Sequence, residues 1–321
     1  MKKIGVFTSG GDAPGMNAAV RAVVRAGIAS GVEVVGIMRG YKGMIESQFK
    51  TLLSHDVSNI IQRGGTILKT ARSKEFMTYE GRKKAYENLK SVGIEGLVAV
   101  GGDGTFTGAM IFEQEFGMPI TGAPGTIDND IFGTSYTIGF DTAVNTALSL
   151  IDKIRDTADS HDRAFLIEVM GRHCGWIALE TALAGGAELV LVPEVETDLE
   201  QIVSVLQKCM DKKKTSLIVI VAEGAAKAEE LEKSIAQKLP ALEIRASVLG
   251  HVQRGGVPTA FDRLLGSRLG AHALHALLAG KSGVMAGICK DSDVLVPFSD
   301  AVKKRHGISR EMIALINELG N

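Results

Sequence analysis

The stretch Lys3-Ile4-Gly5-Val6-Phe7-Thr8-Ser9-Gly10-Gly11-Asp12-Ala13-Pro14-Gly15-Met16-Asn17 decides the fold. Its first six residues are apolar almost without interruption, as in a strand buried on both faces. Two glycines follow, so that backbone N–H groups could approach an anion, and from Ala18 to Ala29 the apolar residues return at helical spacing. Strand, glycine loop and helix in that order open a βαβ unit. The alternation continues along the chain. Strands are expected at Lys3–Thr8, Glu33–Met38, Gly96–Val100, Pro119–Ala123, Ala164–Met170, Leu189–Pro193, Leu217–Ala222 and Val284–Cys289. Helical spacing marks Ala18–Ala29, Arg82–Ser91, Phe140–Asp159, Leu199–Met210 and Arg263–Leu278. The pattern predicts an α/β protein with mostly parallel sheets.

Composition narrows the function classes. Glycine makes up 38 of 321 residues, above the usual share of about 7%. With 45% hydrophobic residues and a net charge of −1, the chain is too apolar for disorder and too balanced for electrostatic binding of nucleic acid. Cys174, Cys209 and Cys289 are odd in number and widely spaced, which fits neither a disulfide framework nor a zinc pattern and points to a reducing cytoplasm. The apolar run after Lys2-Lys3 is too short for a signal peptide's core. No apolar stretch is long enough for a membrane span, so no membrane partner is expected.

Three loops carry the chemistry. The first, Thr8–Asn17, lacks the G-x-x-x-x-G-K-[ST] spacing of a P-loop. The second, Val100-Gly101-Gly102-Asp103-Gly104-Thr105, has Thr107 where a dinucleotide fingerprint needs its third glycine. It also sets a carboxylate inside the glycine turn. Beside a phosphate, Asp103 would repel unless Mg²⁺ bridged the two; its competing role is a helix cap worth about 1 kcal/mol. The third, Pro124-Gly125-Thr126-Ile127-Asp128-Asn129-Asp130, offers two carboxylates and a hydroxyl, which suits phosphoryl transfer to an alcohol; Asp and Asn also favour turns. Arg72, Arg163, Arg172 and Arg254 stand near expected element ends, where together they could neutralise several phosphates, although each singly reads as a surface arginine.

In Thr8–Asn17, Gly101–Gly104, the PGTIDND string at 124–130, Met170–Arg172 and the GHVQRGG string at 250–256, the chain resembles the bacterial type of the ATP-dependent 6-phosphofructokinase family. The resemblance runs along essentially its whole length. It implies two three-layer α/β/α Rossmann-like domains, an ATP-binding one over 1–138 plus 251–301 and a fructose-6-phosphate-binding one over 139–250 plus 302–321. It implies a glycolytic kinase that moves the ATP γ-phosphoryl group to the C1 hydroxyl of fructose 6-phosphate, with Mg²⁺ on Asp103. Asp128 would be the general base, with Thr126, Arg72, Arg172 and Asp130 completing the catalytic set. Gly11, Arg72, Ser73, Gly102, Asp103, Gly104 and Thr105 would line the ATP site. Thr126, Ile127, Asp128, Met170, Gly171, Arg172, Glu223, His251, Val252, Gln253 and Arg254 would hold the sugar phosphate. Arg163 and Arg245 would reach it from a neighbouring subunit of a homotetramer.

The resemblance also bears on donor and regulation. Relatives that use pyrophosphate typically carry Asp where this chain has Gly104 and Lys where it has Gly125, so ATP is expected. An effector site for ADP or phosphoenolpyruvate maps onto Arg21, Arg25, Ser54, Asn59, Arg155, Glu188, Lys212 and Lys214. Ser54 replaces an Arg of some members, Asn59 a common metal-contacting Asp, and Thr215-Ser216 a frequent Lys-His, so a weakened or altered response is expected. Lys74 stands where a proline is usual. A pyrophosphate-dependent kinase and a non-catalytic nucleotide-binding regulator are the competing readings; the retained Asp103, Asp128, Arg72 and Arg172 argue against the regulator.

Overall fold

The structure, a computed structural model, describes residues 1–320. In chain order the elements begin β1 (Lys3–Thr8), α1 (Met16–Ala29), β2 (Glu33–Ile37), α2 (Gly40–Ile45), β3 (Phe49–Thr51), α3 (Tyr79–Ser91), β4 (Gly96–Gly101), α4 (Asp103–Phe116) and β5 (Ile120–Pro124). Then come α5 (Phe140–Ser160), β6 (Ala164–Val169), α6 (Trp176–Gly185), β7 (Leu189–Leu191), α7 (Leu199–Asp211), β8 (Leu217–Ala222), α8 (Ala228–Lys238) and β9 (Ile244–Val248). The chain ends with α9 (Ala260–Leu278), β10 (Val284–Cys289), β11 (Ser292–Pro297), α10 (Phe298–Lys303) and α11 (Arg310–Leu319). Two compact units share them: residues 1–127, 131–142 and 254–306 form the first, and residues 128–130, 143–253 and 307 onward the second.

The first unit is built on a seven-stranded sheet in the order β11-β10-β5-β4-β1-β2-β3. Its central pairings are parallel, and only the β2–β3 and β10–β11 pairs at the two edges run antiparallel. Alternate residues of the central strands serve opposite faces. Phe7, Leu97, Ala99 and Ile120 join Leu89 of α3 and Phe106 and Phe112 of α4 in one apolar cluster. On the other face the Thr121 hydroxyl donates to the Ala273 carbonyl of α9 at 2.8 Å, and α9 lies so close to α1 that a Cβ at Gly270 would stand 2.6 Å from the Ala19 carbonyl. Every residue of β4 and β5 is buried, which explains why their sequences lack charge and why their one polar side chain, Thr121, is hydrogen-bonded.

The second unit has a four-stranded sheet, β7-β8-β6-β9, parallel throughout. Leu166, Val219 and Val221 meet Leu206 of α7 and Ile235 of α8. All eight expected strands occur within two residues of their expected ends, and so do the ends of most expected helices. Three strands and several helices were not expected. β3, β9 and β11 occupy sheet edges and carry exposed or charged residues such as Arg245 and Asp293, so they lack the apolar run of a central strand. Among the described residues no helix is long and apolar enough to cross a membrane.

Candidate active site

β1, β4 and β5 lie side by side, with Thr8 opposite Val100 and Gly101 opposite Pro124, so their three loops leave the sheet together at the strands' carboxyl ends. The chain turns to β2 on one side of β1 and to β4 on the other, which makes this edge a topological switch point. Backbone bonds tie the loops: Ser9 N–H donates to Val100 O at 3.0 Å, and Gly125 N–H donates to Gly101 O at 3.0 Å.

The α4 N-terminus opens at this edge. Gly102 caps it without a side chain, and the first N–H groups of a helix have no partner within it. The Asp103 carboxylate, half-buried on the first residue of the helix, accepts from Gly104 N–H through Oδ1 at 2.7 Å, but the cap position is Gly102, so Asp103 is not the helix cap. The buried Thr105 Oγ1 has no hydrogen-bond partner among the described residues. A Cβ built on Gly104 meets nothing within 4 Å, whereas one on Gly125 comes 2.9 Å from Met16 Cε and 3.1 Å from Val100 Cγ1. A Cβ at 125 would therefore require the Met16 and Val100 side chains to shift, whereas position 104 is open.

Beyond Gly104 lies a cavity of about 260 Å³ walled by Tyr41, Phe76, Met77, Gly108 and Ile111, with Ser73 at its rim. Tyr41 and Phe76 stack at 3.9 Å between ring centroids, and Tyr41 donates its hydroxyl to the Thr105 carbonyl at 2.6 Å; burial pushes that phenol's pKa strongly upward. Arg82 braces the wall, bonding both carboxylate oxygens of Glu115 and the carbonyls of Phe76 and Met77. Sequence reasoning missed these wall residues because they come from separate segments with no shared spacing. Arg72 is exposed nearby in sequence, and Ser73 Oγ accepts from Phe76 N–H. Lys74, in the usual proline position, has φ −68°, the value a proline ring would impose. Arg254 of the same unit lays its guanidinium over Gly11 and donates to Asp12 O at 3.4 Å.

The second unit groups most of the remaining site residues. Asp128 is buried, and Arg172 Nε faces its Oδ2 at 3.6 Å. Arg172 holds a left-handed backbone, φ 54°, in a turn pinned by Glu223: Oε1 accepts from Arg172 N–H at 2.8 Å and Gly171 N–H at 3.3 Å. Gln253 is fully buried; its Oε1 accepts from Met170 N–H at 2.9 Å, and its Nε2 has no partner among the described residues. His251 and Val252 beside it are exposed. The Cys174 thiol, also missed from sequence, is pushed up to about 12 by burial, with the charges of Glu194, Asp130 and Asp128 adding to the shift.

Arg163 and Arg245 stand apart from Arg172. Both bind Glu243, at 2.9 and 2.8 Å, and Arg163 beside it lowers that carboxyl's pKa. They flank the amino ends of β6 and β9, while Met170–Arg172 follow the carboxyl end of β6, six extended residues or about 20 Å away. The expected effector residues fall into one set per unit. In the first, Arg25 donates to Ser58 Oγ at 3.3 Å, Ser58 Oγ donates to Ser54 O, and Asn59 is left-handed at φ 54°. Arg21 lies on α1 one turn before Arg25. In the second, Arg155 donates to the carbonyls of Gly185 and Gly186, Glu188 accepts from Ile218 N–H, and Lys214 bridges Glu188 and the Gly320 carbonyl at 3.5 and 2.6 Å; Lys212 is exposed.

Comparison with known proteins shows the family and the fold. The phosphofructokinase family model matches residues 3–277. ATP-dependent 6-phosphofructokinase 1 of Thermus thermophilus is 60% identical over 317 residues, covering 98% of each chain. The ATP-dependent 6-phosphofructokinase of Bacillus pumilus is 54% identical over 319 residues and 99% of each. Among solved structures, phosphofructokinase from Saccharomyces cerevisiae superposes with a TM-score of 0.91 at 39% identity, over 94% of this chain and 45% of that one. A pyrophosphate-dependent phosphofructokinase from Marinobacter aquaeolei shares the fold, with a TM-score of 0.84 at 20% identity over 98% of this chain and 91% of its own.

Proposed function

The chain belongs to the phosphofructokinase family, and from that premise we infer that it is an ATP-dependent 6-phosphofructokinase, a glycolytic kinase that forms fructose 1,6-bisphosphate and ADP. The observation that carries the choice of donor is the cavity beside the α4 N-terminus. Its stacked aromatic wall suits a purine base, and the bare Cα of Gly104 leaves clearance between base and phosphates. Pyrophosphate would leave the cavity unused.

The donor groups belong to the first unit. Gly11, Gly102, Asp103, Gly104 and Thr105 line the phosphates, Arg72 and Ser73 follow the chain toward the nucleotide, and Thr126 stands by the transferred group. A lone half-exposed carboxylate fits Mg²⁺, which takes few protein ligands and completes its shell with phosphate oxygens and water; Asp103 would hold it. When bound, the ion offsets charge on the phosphates.

The acceptor groups belong to the second unit. Asp128 takes the proton from the C1 hydroxyl as that oxygen attacks the γ-phosphorus; the bond to the β–γ bridging oxygen breaks and ADP departs. Arg172, aimed by the Glu223-pinned turn, offsets charge on the moving group, and Asp130 and Ile127 complete the loop. Met170, Gly171, Glu223, His251, Val252 and Arg254 bind the sugar phosphate, and Gln253 acts through Met170. Arg163 and Arg245 serve the sugar phosphate of a neighbouring subunit in a homotetramer, consistent with their place at the far end of β6. An effector site for ADP or phosphoenolpyruvate uses Arg21, Arg25, Ser54, Asn59, Arg155, Glu188, Lys212 and Lys214, and its response is weak because Asn59 offers no carboxylate for a metal ion and Lys214 is already engaged. Effector shifts of the saturation curve as large as in strongly regulated relatives would refute this. Three unpaired cysteines suit the cytoplasm.

A coupled assay for fructose 1,6-bisphosphate with ATP or pyrophosphate tests the reading. ATP alone should support turnover, and Asp128→Ala should lose on the order of 10²- to 10⁴-fold. Turnover with pyrophosphate instead, or undiminished activity in Asp128→Ala, would overturn it.

A further inference from the structure

Asp262 is a charged side chain with no exposed surface, on the first turn of α9. Its carboxylate reaches out of its own helix. Oδ1 accepts from Gly139 N–H at 2.7 Å, and Oδ2 accepts from Thr142 N–H at 2.8 Å and from the Thr142 hydroxyl at 2.5 Å. The capping is reciprocal: Thr259, the N-cap of α9, donates its hydroxyl to Asp141 Oδ2 at 2.5 Å and its N–H to Thr142 Oγ1 at 3.1 Å. The starts of α5 and α9 are thereby locked together.

What precedes α5 gives the lock a purpose. Ile138 bridges Gly125 in parallel register, donating its N–H to Pro124 O at 2.8 Å and accepting from Thr126 N–H at 3.1 Å. The Thr137 hydroxyl donates to Thr126 O at 2.7 Å. Both backbone groups of Thr126 are therefore held by a strip whose next residue, Gly139, hangs on Asp262. Gly15, in the first loop, packs on the same point: a Cβ there would stand 2.8 Å from Ile138 Cγ2 and 3.1 Å from Asp262 O.

We propose that Asp262 is a positioning residue for phosphoryl transfer, fixing through Gly139 and the 137–138 strip the backbone of Thr126. This rests on the proposed function only in taking the 126–128 loop as the place of transfer. A buried carboxylate with three donors aimed at it is hard to replace, because an amide can accept only through one oxygen and sets its own N–H₂ against the remaining N–H donors.

The test is steady-state kinetics on folded Asp262→Asn, Asp262→Ala and Thr142→Val, with Asp128→Ala alongside and thermal unfolding monitored for each. Well below its melting temperature, Asp262→Ala should lose about tenfold or more in kcat, Asp262→Asn less and Thr142→Val about threefold, with KM for both substrates within about twofold of the unchanged protein. If the alanine variant does not fold, Thr142→Val carries the test, since it removes the hydroxyl that donates to Asp262 and accepts from Thr259 N–H while leaving both backbone N–H bonds to the carboxylate. Unchanged kcat per folded molecule, with only a lower melting temperature, would reduce Asp262 to a structural role and overturn the proposal. Activity surviving in Asp128→Ala would instead sink the assignment of the loop itself.

Discussion

A side chain at Gly104 would meet no protein atom within 4 Å, and Gly104 is not among the glycines with positive φ. Nothing in the fold demands glycine there, so the clearance is for what lies outside the protein. Gly104→Asp should therefore fold with unaltered melting behaviour. Its ATP-dependent rate should fall about a hundredfold or more, because a carboxylate set against a phosphate costs several kcal/mol. Full ATP activity in that variant would refute the clearance argument. Gly125 differs, since Met16 and Val100 already fill the space a Cβ would take, so its glycine says less about the donor than the sequence suggested. Lys74 makes a third case. With φ −68° it already has proline geometry, and Lys74→Pro should keep activity and gain about 0.4–1 kcal/mol from a less flexible unfolded chain; destabilisation in urea titration would contradict it. Site residues in contiguous strings, such as Gly101–Thr105 and Pro124–Asp130, were legible because one loop displays them together. Tyr41, Phe76 and Arg82 were not, because their meeting is a product of the fold.

At the scale of elements, the central strands were legible from their apolar runs, since burial on both faces writes itself into every position. Edge strands β3, β9 and β11 were not, because one exposed side admits charge. The lock between α5 and α9 was also hidden: Asp262 falls just before the helical spacing that begins at Arg263, and nothing in the sequence singles it out. Burial pushes its carboxyl up to about 6 from 3.8, against the bonds from Thr142 and Gly139, and the Asp141 charge adds to the rise. A carboxyl raised in the folded state contributes stability that is fully present below about 3.8 and is lost as the pH rises through about 6. Asparagine has no such loss. The stability of the unchanged protein relative to Asp262→Asn should therefore decline by about 1.4 kcal/mol between about pH 5 and about pH 8. Denaturant titrations at the two pH values would show a constant or growing difference if the carboxyl were not raised. At working pH the charge is thus a cost to stability, as expected of a group kept for function.

At the scale of the whole molecule, the strand that carries Met170–Arg172 at one end has Arg163 just before the other, and β9 beside it brings Arg245 to the same far end. Both arginines share Glu243 there, about 20 Å of extended chain from the turn that aims Arg172. A phosphate held at the proposed acceptor site beside Met170 would be out of reach of that chain's own Arg163. The pair is useful to the reaction only if another copy of the chain presents its acceptor site to it, with Glu243 giving way to the phosphate. Such an arrangement has a consequence that no self-sufficient subunit can imitate. Take two variants, Asp128→Ala and Arg163→Ala, each strongly impaired alone. In a symmetric pair of unlike subunits, one site combines both lesions while the other combines the intact Asp128 of one chain with the intact Arg163 of the other. Random assembly after mixing under dissociating conditions and refolding should then restore about a quarter of the sites to full activity. Assayed against each variant refolded alone, recovery near that fraction supports shared sites, and no recovery in mixtures whose subunits demonstrably exchange would show that each chain works with its own residues.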